Sequence, residues 1–183
     1  MLDGDHPDKI NVDDVLLRSG ISKGSLYHHF EDFNDLIESG LVRRFSRTVD
    51  SSIDAITMLV AQATSQQVFL DGLHQITIAT QAQDRSPMRF ERARALGMAG
   101  WNPRFQTALG EEQRRLTEAL TDLFREAQHK GWMQGAFDPH AAAVLIQAYT
   151  LGQVVNDIDD EPMSRDAWNA LIRRLIERVF VAG

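Results

Sequence analysis

The 183 residues are 43% hydrophobic and 25% charged, which excludes a disordered chain and fits one globular domain, or a small head joined to a larger body. The chain has no cysteine, which excludes a disulfide framework, thiolate catalysis and sulfur-ligated zinc and fits a reducing cytosol. A net charge of −7 opposes nucleic-acid binding by bulk charge, so any phosphate contact must come from a local patch. The acidic start, Met1–Asp8, is unlike a secretory signal, and polar residues interrupt every apolar window before it could span a bilayer. The expectation is a cytoplasmic protein with no membrane partner.

Strand signals are missing and helix signals recur, so the expected fold class is all-α. Asn11 with Asp14 reads as an N-cap and acidic first turn, opening a short helix that runs to Ser19 and stops at Gly20. Ser22 caps a second short helix running to Phe30. A long helix over 32–62 places Ile37, Leu41, Phe45, Val49, Ile56 and Val60 near one stripe. A helix over 65–83 follows. Ser86-Pro87 and Asn102-Pro103 each join a capping residue to a proline at the first helical position, and Asp138-Pro139 repeats the signal. Gly131 ends the helix opened at Asn102, and the last helix starts at Ser164. The stretch 156–163 reads as a loop whose acids, Asp157, Asp159, Asp160 and Glu161, are solvated.

The informative segment is Asn11–Phe30. Val12, Val15, Leu16, Ile21, Leu26 and Phe30 form a minimal apolar core across the turn at Gly20. Lys23, Gly24, Ser25, Tyr27, His28 and His29 then face outward. Small residues near the start of such a helix let it approach base edges, and its first N–H groups attract phosphate.

Gly20-Ile21-Ser22-Lys23-Gly24-Ser25-Leu26-Tyr27-His28-His29-Phe30 closely resembles the helix-turn-helix of the tetracycline-repressor (TetR) family. There an Ala-Gly-Val-Ser turn leads into a recognition helix reading Gly-x-Leu-Tyr-x, then His or Tyr, then Phe. The resemblance implies DNA binding through Ser22, Lys23, Gly24, Ser25, Tyr27, His28 and His29. Lys23, Ser25 and His28 would face bases or phosphates, and Tyr27 and His29 the backbone. It also implies a head over residues 1–46, with a ligand-binding and dimerising body over 47–183. Two positions depart from the family pattern. Phe33 stands where a phosphate-contacting lysine is common. The ten residues before Asn11 are a poor helix, so the family's first helix is expected to be missing or truncated. Residues 1–47 carry six Lys/Arg against nine Asp/Glu, a balance of −3.

In the body the resemblance implies a small-molecule pocket. Phe69, Leu73, Ile76, Phe90, Met98, Trp101, Phe105, Phe124 and Tyr149, with polar tips at Thr77, Thr80 and Gln147, are candidate lining for a small apolar or amphipathic effector. The last two helices carry a second apolar surface. Leu145, Ala148 and Gly152 on one, and Trp168, Leu171, Ile172, Leu175 and Val179 on the other, are candidates for a homodimer interface. A dimer would match a pseudo-palindromic double-stranded operator.

Other chemistries find little support. Gly20-Ile21-Ser22-Lys23-Gly24 fits the Gly-x-Ser-x-Gly pattern of a nucleophile elbow, but that elbow follows a strand, whereas here a capped helix precedes it. The six histidines lack metal-ligand spacing, and no cofactor is implied. The expected function is a ligand-responsive DNA-binding regulator, a repressor released by a small molecule, and not an enzyme. The alternative is a small-molecule binding protein of the same fold whose DNA binding is weak or lost.

Overall fold

The computed structural model describes residues 11–181. Its helices are α1 (Val12–Ser19), α2 (Lys23–His29), α3 (Phe33–Gln62), α4 (Gln66–Gln81), α5 (Ser86–Ala99), α6 (Pro103–His129), α7 (Pro139–Gly152), α8 (Val154–Asp157) and α9 (Arg165–Val179). A 3₁₀ turn over Gln83–Arg85 joins α4 to α5. No strand occurs among the described residues. An isolated bridge pairs Met133 with Val181.

The caps follow local chemistry. Side-chain oxygens of Asn11, Ser22, Ser65, Asn102, Asp138 and Ser164 accept backbone N–H groups from the first turns of α1, α2, α4, α6, α7 and α9. Gly20 closes α1 at φ 69, where a side chain would be strained, and its N–H returns to the carbonyl of Leu16. The α5 start differs from expectation. Ser86 is already helical rather than a cap, because the 3₁₀ turn feeds directly into α5.

One core runs through the body. It takes Leu41, Phe45, Val49, Ile56 and Leu59 from α3, Phe69 and Leu73 from α4, and an apolar stripe of α6 from Phe105 to Ala127. α6 packs against α3, α5 and α7, while α4 packs against α3, α7 and α9. Gly72 permits the close α3–α4 approach, since a Cβ there would collide with Leu59. At one end Phe124, Phe137 and Phe180 interlock, the last two with ring centroids 4.7 Å apart. The N–H of Gln134 bonds the carbonyl of Phe180 at 2.8 Å, tying the α6–α7 loop to the end of α9.

α3 crosses residue 46 without a break, so one helix serves both head and body. Within the head Leu26 is only 1% exposed, whereas Val12, Val15, Leu16 and Phe30 are half-buried. Ile21, expected in that small core, is exposed. The residues expected to form a truncated first helix lie outside the described residues.

Candidate nucleic-acid interface and effector site

α2 has two faces. Leu26 anchors it, and Lys23, Gly24, Ser25, Tyr27, His28 and His29 are all exposed. Ser22 Oγ accepts the Ser25 N–H at 3.1 Å, so its lone pairs serve the cap. The His28 and His29 rings meet edge to face at 5.2 Å. Gly24 keeps open space around its Cα: a Cβ placed there would meet nothing nearer than Ser22 Oγ at 3.9 Å. Phe33, the first residue of α3, is half-buried.

Polar contacts tie the region after α2 to the start of α6. Arg104 bonds Glu31 at 2.9 Å and Glu38 at 3.2 Å, and it approaches Asp35 at 3.5 Å. These carboxylates, led by the hydrogen bond to Glu38, raise the Arg104 pKa. Asn102 donates to Glu38 at 2.6 Å. Further along α3, Arg44 pairs with Glu91 of α5 and Arg115 of α6 pairs with Asp50 at 2.6 Å.

The candidate pocket residues separate into three groups. Phe69, Leu73, Phe105 and Phe124 are fully packed in the core, and Ile76 is half-buried against it. Thr77 of α4 and Tyr149 of α7 share a hydroxyl hydrogen bond of 3.2 Å. Burial raises the Tyr149 pKa, with the Thr77 bond opposing the shift. Phe90 is at the surface, and Trp101 is 91% exposed in the α5–α6 turn.

Further along the α4–α7 seam, both amide atoms of Gln81 and Nε2 of Gln153 are buried with no hydrogen-bond partner among the described residues.

The most strongly polar features of the body are two arginines one turn apart on α5, neither of which belongs to a sequence motif. Arg89 is buried and uses one edge of its guanidinium on Asp157, with Nε–Oδ2 at 2.6 Å and Nη2–Oδ1 at 2.9 Å. Its Nη1 donates to the carbonyls of Thr80 and Ala82 at 3.0 and 3.1 Å. Arg165 of α9 adds a bond to Asp157 at 3.1 Å. The Asp157 side chain is 0% exposed, and hydrogen bonding from Arg89 is the leading reason its pKa is lowered. The expectation of a solvated acidic loop is therefore corrected at Asp157: two arginines draw it inward while Asp159, Asp160 and Glu161 remain exposed.

Arg92 sits among neutral groups. Its Nη2 donates to Gln113 Oε1 at 2.9 Å and reaches Gln147 Oε1 at 3.4 Å. Gln113 Nε2 bonds Gln147 Oε1, and Gln147 Nε2 donates to the Thr117 hydroxyl at 3.0 Å. The guanidinium carbon lies 5.4 Å from the centre of the Phe45 ring. Its Nε is buried without a hydrogen-bond partner. Burial lowers its pKa, and no neighbouring carboxylate opposes that shift. The signal available in the sequence was register: Arg89 and Arg92 lie on the face of α5 that continues through Leu96 and Ala99.

The candidate dimer residues also divide. On α7, Leu145, Ala148 and Gly152 are exposed along one side, together with Ala141 and Val144, and Val155 of α8 is exposed beyond them. On α9, Leu171 is 56% exposed and Val179 is exposed too, while Trp168 and Leu175 are half-buried against the core. Ile172 is 4% exposed and packs into its own chain's core, which corrects its placement on an intersubunit face. Leu171 and Ile172 are adjacent in sequence, so the helical twist turns them to different sides.

A helix-turn-helix head sharing its long third helix with a larger helical body defines the class of helical transcription regulators. Residues 92–181 match the family described as BetI-type transcriptional repressor, C-terminal. This match, with the fold shared with the solved structures below, supports a regulator of the tetracycline-repressor family. No curated protein matches it. Among solved structures, it is similar to a TetR-family regulator from Mesorhizobium loti, with 16% identity, a TM-score of 0.69 and coverage of 96% of this chain and 88% of that one. A regulator from Saccharomonospora viridis, solved in complex with choline, has 15% identity, a TM-score of 0.69 and coverage of 97% and 90%. NemR of E. coli has 14% identity, a TM-score of 0.63 and coverage of 97% and 89%. At these identities the similarity is one of fold. No helix among the described residues is long and apolar enough to cross a membrane.

Proposed function

We propose that this chain is a DNA-binding regulator that acts as a homodimer on a pseudo-palindromic operator and releases it, as a repressor, when a small molecule occupies the body. The observation that carries this reading is the face of α2. Lys23, Gly24, Ser25, Tyr27, His28 and His29 are all available to a duplex, while buried Leu26 fixes the helix from behind. The contacts of Asn102 and Arg104 with Glu31, Asp35 and Glu38 supply a physical route from body to head. The exposed apolar residues of α7 and α9 favour the dimer, and the BetI-type match favours repression. The choline held by the S. viridis regulator is a poor guide to this chain's effector, because half-buried Arg92 would repel a quaternary ammonium.

The test is fluorescence anisotropy with duplexes selected from random sequence, repeated across salt concentrations. The proposal expects specific retention whose affinity falls steeply with salt. The acidic balance of the head favours a second reading, a small-molecule binding protein with weak DNA binding. Failure to enrich any duplex, with intact ligand binding, would select that alternative.

A further inference from the structure

Arg92 presents an edge whose natural use is visible one turn away on the same helix, at Arg89. At Arg89, Nε and Nη2 meet the two oxygens of Asp157, the planar fork that a guanidinium makes best. At Arg92, Nε has no partner and Nη2 is shared between two neutral amide oxygens. No carboxylate among the described residues forms an ion pair with it. Arg92 is half-buried with its Nε out of water, and drawing a cation from water without a counter-charge is costly, which two amides do not offset.

We propose that Arg92 receives the carboxylate of an amphipathic effector, bound within the body among α3, α5, α6 and α7. The proposal rests on the ligand-responsive reading above and names the ligand class. Two carboxylate oxygens would take Nε and Nη2 as Asp157 does at Arg89. Gln113 and Gln147 have rotatable side chains and hold the guanidinium only through neutral acceptors, so they can yield it. Their amide nitrogens, that of Gln113 now donating to Gln147 Oε1 and that of Gln147 to the Thr117 hydroxyl and the Ala143 carbonyl, are donors available to the incoming oxygens. Phe45 beside the guanidinium and the apolar core around it suit a hydrocarbon tail rather than a second charge. A quaternary ammonium has the wrong sign, and a neutral amide leaves the charge uncompensated.

The probes are straight-chain carboxylates from acetate to decanoate, their primary amides and the matching alkyltrimethylammonium ions. Binding is measured by calorimetry on the full chain. At least one acid should bind saturably, its amide about ten-fold more weakly or worse, and the ammonium ions not at all. Arg92→Met should weaken the best acid by about ten-fold or more, and Arg92→Lys should lose part of that affinity because it lacks the planar fork. An amide that binds as well as its acid overturns the proposal, and so does a series in which no acid binds. Wild-type affinity in a folded Arg92→Met does the same. The acid–amide comparison uses the unmodified protein, so it holds even if a variant fails to fold. DNA retention is measured on the same preparation. Retention without acid binding removes this inference alone, and acid binding without retention removes the regulator reading.

Discussion

Arg89 and Arg92 are separated by one turn of α5, the first buried and the second half-buried, and differ most in the company each keeps. Arg89 joins α5 to the end of α4 through backbone carbonyls and to α8 through Asp157, which Arg165 of α9 also holds. Its bonds are internal and charge-balanced, the pattern expected of a group that fixes architecture. Arg92 meets neutral amides and an aromatic ring, and it leaves Nε unused. Removal from water, complete at Arg89 and partial at Arg92, does not by itself distinguish a structural cation from a binding one. The identity of the counter-charge does, because a protein that needs only structure can supply its own carboxylate.

The largest effect should follow from breaking the balanced pair. Arg89→Met leaves the Asp157 carboxylate buried with Arg165 as its one remaining arginine, and should cost about 3–5 kcal/mol in urea unfolding. A loss under about 1 kcal/mol would mean that Asp157 reaches solvent in the variant and that the junction is not rigid.

Next comes the apolar face left outside the core. Leu171→Glu places a charge where an isologous partner would bury a leucine, a side chain worth about 1.5–3 kcal/mol when covered. Sedimentation should show wild-type dimers and variant monomers at the same concentration. Ile172→Ala should instead lower thermal stability, since Ile172 faces its own core. If that variant alone dissociates the dimer, the division drawn between these neighbours is wrong.

Acidity offers a further way to sharpen the comparison. Asp157 titrates below its ordinary range in the folded protein, so its contribution is complete above the unfolded carboxylate pKa. It is lost as pH falls through the lower folded value. Stability should therefore drop on the acid side, and Asp157→Asn should be less stable near neutrality with a shallower acid slope. An unchanged slope would show that the pair does not govern acid unfolding.

Smallest in free energy is the contact of Lys23. Lys23→Ala should flatten the salt dependence of DNA binding by about one unit if the lysine meets phosphate. A loss confined to one base position would indicate a guanine contact instead, and no change in either would remove Lys23 from the binding face.

What could be read from the residues alone follows the same division between local and distant. Asn11, Ser22, Asn102, Asp138 and Ser164 were legible as helix starts because a cap needs only its own first turn. Ser86 was displaced by one residue because the 3₁₀ turn before it is set by how α4 and α5 meet. The outward face of α2 was legible from Leu26 and the turn at Gly20. The arginine sites were not, because Asp157 lies 68 positions beyond Arg89 and Gln147 lies 55 beyond Arg92. An acidic run in a loop looks solvated until the fold brings two arginines to one of its members. Trp101 looked like a lining residue by size, yet its turn carries it to the surface.

The most direct test of the contrast between the two arginines is the unfolding free energy of Arg92→Met beside wild type, with and without the acid that binds best. Methionine keeps the apolar stem and removes a charge that has no counter-charge to orphan. The contrast predicts a loss of no more than about 1 kcal/mol without ligand. It also predicts that the ligand-induced stabilisation of wild type is absent from the variant. A loss of about 3–5 kcal/mol without ligand, matching Arg89→Met, would contradict it and make Arg92 a second structural arginine.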